Sequence, residues 1–160
     1  MHSRRLYHSD IKPRNIFLRR EQPINIVLGD LADVKTFDTF AIVRGTRAYY
    51  SPQMVETGLH CGPGDDVWAL GITVLGMVHQ WPRLRYTEEE LKEYPATCHR
   101  HVRRLWGLNG GNGLVRLLVM MLGWDERASA GECGEVVRGL MGGGELVIQS
   151  PVGFEASSFW

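Results

Sequence analysis

The order of apolar and polar positions divides the chain into short extended pieces followed by helices. Two apolar runs, Ile16-Phe17-Leu18 and Ile24 to Leu28, flank a stretch from Arg19 to Pro23. Short apolar runs bounded by turn residues read as strands. Residues 15–18 and 24–28 are therefore expected to form a short β-hairpin. From residue 30 to 53 no period holds, and the segment reads as a loop. Val67 to Val78 then carries no charged residue. A helix apolar all round is buried or spans a membrane, and this run falls short of the roughly 20 residues a span requires. The pattern predicts a buried helix over 65–80, with Asp65-Asp66 as cap and acidic first turn. Thr87 and Glu90 have capping-box spacing and open a short exposed helix to about Tyr94. Pro95 to Asn112 mixes Pro, His, Arg and Gly and reads as irregular. Leu114 to Leu122 is an apolar helix. Ser129, with Glu132 as its partner, caps a last helix to about Met141. The glycine groups at Gly107–Gly113 and Gly142–Gly144 read as loops, and the tail after Gly142 as flexible. The expected fold is mainly α with a short β-hairpin.

Composition narrows the function classes. The 160 residues are enough for one domain with a real core. Lys plus Arg and Asp plus Glu each number 18, so no net field steers the chain to nucleic acid or an anionic membrane. Arg4-Arg5, Arg19-Arg20 and Arg103-Arg104 read as solvated pairs. Neither a signal peptide nor a long apolar span is visible. Cys61, Cys98 and Cys133 are odd in number and widely spaced, which suits free thiols in a reducing, intracellular setting, cytoplasmic or nuclear. Cys98, His99 and His101 lack the distant second pair that zinc spacing requires. Oligomeric state is left open.

The chemistry concentrates in His8-Ser9-Asp10-Ile11-Lys12-Pro13-Arg14-Asn15. A carboxylate there can accept a proton from a hydroxyl, an ammonium can neutralise phosphate, and an amide oxygen can ligate a hard cation. Phosphoryl transfer uses that set, because it relies on positioning and charge stabilisation. The string resembles the catalytic loop of protein kinases, H-R-D-L-x-x-x-N. Three further strings agree with that family in order and spacing. Asp30-Leu31-Ala32, after an apolar strand, resembles D-F-G. Gly45-Thr46-Arg47-Ala48-Tyr49-Tyr50-Ser51-Pro52-Gln53 resembles G-T-x-x-Y-x-A-P-E. Asp66-Val67-Trp68-Ala69-Leu70-Gly71 resembles D-x-W-x-x-G.

The resemblance implies a serine/threonine kinase, transferring the γ-phosphoryl group of ATP to a protein Ser or Thr hydroxyl. It makes Asp10 the base, Lys12 the group that steadies the γ-phosphate, and Thr46 an orienting hydroxyl. Asn15 and Asp30 would hold Mg²⁺, and Phe17 would lie under the adenine. Lys12 favours the serine/threonine branch. Asp66 would accept hydrogen bonds from the catalytic-loop backbone, and His8 would pack rather than transfer protons. Residues 8–15 would be the catalytic loop, 30–53 the activation segment and 65–80 the central helix. Residues 1–141 would form a kinase C-lobe, a partial domain, with 142–160 as tail. Only seven residues precede His8, so the N-terminal lobe with its glycine-rich loop and strand lysine is expected to be missing, as in a truncated kinase domain, and the chain by itself is expected to bind ATP poorly and to have little or no activity.

Three departures from the family pattern carry expectations. Ala32 replaces a glycine and would be penalised wherever φ must be positive. Gln53 replaces a glutamate that pairs with a buried arginine, matched here by Arg127. Losing one partner of such a pair costs about 3–5 kcal/mol unless something compensates, which makes this junction the expected weak point. Ser9 replaces an arginine that grips an activation-loop phosphate, and a hydroxyl cannot make that bidentate contact. Activation-loop phosphorylation at Thr36 or Thr39 is therefore not expected to switch the protein on. Ala32, Gln53 and the missing lobe also leave an alternative, a catalytically inactive kinase-like module that acts by binding proteins.

Overall fold

The computed structural model describes residues 1–39, 41–78 and 80–142. The protein is mainly α, with three two-stranded antiparallel sheets among the described residues, all within its first 60 positions. The expected hairpin is formed by β2 (Ile16–Glu21) and β3 (Ile24–Leu28); β1 (Leu6–Tyr7) precedes it. Ile16 pairs with Leu28, Phe17 with Val27 and Leu18 with Ile26, and the register slips between Leu18 and Arg20. Arg20 and Glu21 were expected in the connection but continue the ladder opposite Asn25 and Ile24. Pairing needs only their backbone, so exposed polar side chains do not end the strand.

The segment 30–53 is mostly irregular, as expected, and two short ladders pin it. β4 (Lys35–Thr36) pairs with β1, and β5 (Ala41–Ile42) pairs with β6 (Leu59–His60). Ser51 caps α1 (Pro52–Thr57), its Oγ accepting from the Met54 N–H.

The central helix, α2, runs over Pro63–Met77. It starts earlier than expected, with Pro63 in its first turn and Gly62 as a cap that offers no side chain. Asp65 and Asp66 sit inside that first turn and bond other segments instead. Trp68, Ile72 and Leu75 of α2 are fully buried and form the main core with residues of two later helices.

The largest correction concerns residues 95–109, whereas 110–112 are irregular as expected. A single helix, α3, spans Glu88–Asn109 and contains Pro95 and Gly107. Its N-cap is Thr87, as expected, but only half of the capping box forms. Thr87 Oγ1 accepts from the Glu90 N–H at 3.2 Å, while Glu90 Oε2 accepts from the Arg85 N–H at 2.7 Å. Leu91, Tyr94, Pro95, Cys98 and Val102 are the buried positions of α3. They recur every three to four residues, the period of one helical face. Burial of that face against α4 and the core residues of α2 outweighs the proline penalty of roughly 3 kcal/mol.

Asn112 caps α4 (Gly113–Met121), accepting from the N–H groups of Leu114 and Val115. Leu118 and Leu122 join the main core. Gly71 of α2 lets the α4 end approach closely, since a Cβ there would lie 2.8 Å from Leu122 Cδ2. The last helix, α5 (Ala130–Gly142), has a complete capping box. Glu132 Oε2 accepts from the Ser129 N–H at 2.8 Å, and Ser129 Oγ accepts from the Glu132 N–H at 3.2 Å. The tail expected over 142–160 lies, beyond Gly142, outside the described residues. Among the described residues no helix is long and apolar enough to cross a membrane.

Candidate active site

Asp66 hangs the loop 8–15 from the start of α2. Its carboxylate accepts from the His8 N–H at 2.7 Å and from the Ser9 N–H at 2.8 Å. A helix N-terminus favours an anion at that position. Asp66 Oδ2 also lies 2.9 Å from His2 Nε2. His2 carried no signal in the sequence, because only the turn Met1–Arg5 brings it back over α2. The His8 ring uses both nitrogens. Nε2 donates to the Gly29 carbonyl at 2.8 Å, and Nδ1 accepts from the Asp10 N–H at 3.3 Å. Both ring nitrogens are thereby engaged with the backbone of the site, which is a structural role.

Four of the six sequence-derived site residues are joined by side-chain hydrogen bonds. Lys12 Nζ donates to Asp10 Oδ2 at 2.6 Å and to Thr46 Oγ1 at 3.2 Å. Asn15 Nδ2 donates to the Asp10 carbonyl at 2.8 Å and to Asp10 Oδ2 at 3.2 Å. The 3₁₀ turn Pro13–Asn15, started by Pro13, folds Asn15 back under Asp10. The side chains of Asp10 and Lys12 are only 15% and 19% exposed, so their ion pair is strengthened by partial exclusion of water. Gly45, which the sequence did not single out beyond its motif, is required there twice over. Its φ is +122°, and a Cβ would lie 3.0 Å from Asp10 Oδ1.

Phe17 and Asp30 stand beside this group without a side-chain bond to it. The Gly29 N–H donates to the Asn15 carbonyl at 2.9 Å, and its carbonyl accepts from His8. Gly29 is thereby tied to both ends of the loop, and Asp30 follows it directly. The Phe17 ring rests on Gly29, where a Cβ would lie 2.5 Å away. Asp30 has left-handed backbone, with φ +58°, and is exposed. Its carboxylate accepts no hydrogen bond from the described residues. Ala32 lies inside the 3₁₀ turn Leu31–Asp33, and the positive φ of this segment falls on Asp30. The penalty expected for Ala32 therefore does not arise.

The Gln53–Arg127 junction forms. Arg127 Nη2 donates to Gln53 Oε1 and Nη1 to the Gly64 carbonyl, both at 2.9 Å. Gln53 Nε2 donates to the Trp124 carbonyl at 2.7 Å. The guanidinium also lies 5.0 Å over the Trp68 ring, a cation–π contact. Burial lowers the Arg127 pKa, and the Asp65 carboxylate counteracts this. Asp65 itself accepts from Ser51 Oγ at 2.6 Å and from the Cys61 N–H at 2.8 Å.

The family model described as protein kinase domain matches residues 1–110, more than half of the chain. The chain belongs to the protein kinase family. It is 36% identical over 73 residues to cyclin-dependent kinase-like 1 of Caenorhabditis elegans, covering 44% of the chain and 20% of that protein. It is 36% identical over 87 residues to a mitogen-activated protein kinase kinase of Aspergillus fumigatus, covering 51% and 16% respectively. Against the cAMP-dependent protein kinase catalytic subunit PRKX of Mus musculus it is 34% identical over 82 residues, covering 51% and 22%. The matches thus span less than a quarter of the length of these relatives. Protein kinases generally use ATP and Mg²⁺ and act on proteins. The donor set of this kinase-family chain fits such a cation. Asn15 spends its NH₂ group on Asp10, leaving its amide oxygen without a donor among the described residues, and Asp30 offers a free carboxylate. Both are hard oxygen ligands, and Mg²⁺ takes one or two of these alongside phosphate oxygens. Among the described residues no three His, Cys, Asp or Glu side chains gather as a metal cage.

Proposed function

We propose that this chain is part of the catalytic domain of a protein serine/threonine kinase, acting on Ser or Thr hydroxyls of proteins with ATP as donor. The hydrogen-bonded set Asp10, Lys12, Asn15 and Thr46 carries the reading. In it Asp10 Oδ1 is free of side-chain donors and is the atom to orient and accept the hydroxyl proton. Lys12 already bridges Asp10 and Thr46, so its ammonium sits where the γ-phosphate of a bound nucleotide and the accepting hydroxyl would meet. Thr46 orients that hydroxyl. Asn15 and Asp30 would hold Mg²⁺, which supplies charge neutralisation on the phosphates. Phe17 offers an apolar surface for the adenine. The Lys12 position relative to Asp10 supports the serine/threonine branch.

The test measures Mg²⁺-dependent nucleotide binding and phosphate transfer to a Ser/Thr peptide library. Asp10→Asn is expected to reduce transfer at least ~100-fold, the range of a lost general base, with binding retained. Asp30→Asn is expected to remove the Mg²⁺ dependence of binding. Nucleotide binding indifferent to both Mg²⁺ and Asp30 would remove the kinase reading. One observation favours the alternative, an inactive kinase-like module that binds proteins. Phe17 is 52% and Leu18 56% exposed, so the adenine side of the site is open. Wild-type chain that binds no nucleotide under these conditions would support it.

A further inference from the structure

Lys35 is a half-buried cation, and none of the described carboxylates lies within ion-pair distance of it. Its ammonium donates to Ser9 Oγ at 2.9 Å and to the Asp33 carbonyl at 2.8 Å. Ser9 Oγ in turn donates to the same Asp33 carbonyl at 2.6 Å. Lysine has donors only, and a hydroxyl has one hydrogen, so the directions around this triangle are fixed and each group is used. The Lys35 backbone faces Tyr7 in the β1–β4 ladder, which sets where its side chain starts.

The triangle joins two segments far apart in sequence. Ser9 immediately precedes Asp10, and Asp33 closes the turn that begins at Asp30. Ser9 also holds a left-handed backbone, with φ +67°. A non-glycine residue keeps such a conformation only where its surroundings over-determine it. Asp66 holds its N–H from the α2 side, and Lys35 with Asp33 holds its hydroxyl from the other. We propose that Lys35 is a positioning residue whose ammonium cross-links the Asp10 loop to the Asp30 turn through Ser9 and Asp33. This rests on the kinase reading of the site. The cross-link is complete in the unmodified chain. Thr36 and Thr39 hydroxyls meanwhile bond each other at 2.8 Å, so a phosphate on the segment is not needed to bring the two halves together. The charge matters because hydrogen bonds with an ionised donor are roughly twice as strong as neutral ones.

Amide hydrogen exchange on the whole chain tests the cross-link, using wild type, Lys35→Met and Lys35→Arg. In Lys35→Met the Ser9 and Val34 amides are expected to exchange about tenfold faster together, the effect of one lost charge-assisted bond. The amides of the α2 core should be unchanged, and Lys35→Arg should restore protection. Unchanged exchange at Ser9 and Val34, or faster exchange at Val34 alone, would overturn the cross-link. Mn²⁺ binding, read by water proton relaxation, tests the positioning role. Lys35→Met is expected to weaken it several-fold and Lys35→Arg to leave it near wild type. Faster exchange with unaltered Mn²⁺ binding would reduce Lys35 to a structural part and overturn the positioning role. Wild-type Mn²⁺ binding that ignores Asp30→Asn would overturn the kinase reading and the positioning role with it. The exchange arm would then still report whether the two segments are joined.

Discussion

Gln53 shows how a single residue can replace a charged partner without leaving its neighbour stranded. Its amide oxygen accepts from Arg127 and its NH₂ group donates to the Trp124 carbonyl. A glutamate could do the first and not the second. The junction that the sequence marks as weak is therefore bonded on both sides, and the Gly64 carbonyl and the Trp68 ring also hold the guanidinium, whose buried Nε alone lacks a partner among the described residues. Gln53→Ala is expected to cost about 2 kcal/mol, because it leaves a partly buried charged donor and a carbonyl unpaired. Gln53→Glu gains an ion pair and loses the Trp124 bond, so it should fall within about 1 kcal/mol of wild type. Urea unfolding midpoints decide between these outcomes. A second residue, His60, gives a pH dependence. It is fully buried, its Nε2 accepts from the Arg44 N–H at 3.4 Å, and its Nδ1 has no partner among the described residues. Burial lowers its pKa, the Lys35 ammonium adds to this, and Asp65 and Asp33 oppose it. The folded protein holds this ring neutral, whereas the unfolded chain protonates it near the ordinary value of about 6.5. Stability is then lost as pH falls below that value, since the unfolded state binds more protons. His60→Gln should flatten the decline in stability between about pH 7.5 and pH 5.5, measured by denaturant titration at each pH.

At the scale of elements, the hairpin, α2, α4 and α5 follow from local pattern. Apolar runs, an uncharged stretch and a Ser129–Glu132 box all act within a few residues of where they stand. α3 does not. Pro95 and the mix of His, Arg and Gly after it argue locally for a break. The positions that hold the helix together, Tyr94, Cys98 and Val102, count only once α2 and α4 lie against them. Their spacing was present in the sequence, but proline and polar neighbours obscured it. Gly107 separates the two readings. It lies within α3, and a Cβ there would meet nothing within 4 Å. Gly107→Ala should therefore stabilise the protein by about 0.5–1 kcal/mol, the gain from replacing glycine within a helix. Thermal unfolding would show this as a raised melting temperature, and an unchanged or lowered value would argue against a helix at that position.

The molecule as a whole has a well-filled helical part and an open strand part. Ile72 is fully buried, while Ile24 is 78% and Ile26 60% exposed on the hairpin. Apolar surface of that kind favours association. Lysines at both Ile24 and Ile26 are expected to leave the melting temperature within a few degrees and to suppress concentration-dependent self-association, as followed by light scattering. Ile72→Ala should instead cost about 2–5 kcal/mol. If the lysine pair unfolded the chain, the hairpin face would have to be covered.

The sequence alone determined which chemistry is present. Asp10, Lys12 and Asn15 lie within one turn-forming stretch, so their chemical types and spacing are local properties, and so are the strands and caps around them. Tertiary structure decided how they are held. Asp66 reaches the His8 and Ser9 amides across 58 and 57 residues, Gly45 lays its backbone on Asp10, and Lys35 finds Ser9 and Asp33. Such contacts depend on how helices and ladders pack, and residue order does not carry that information until the chain has folded.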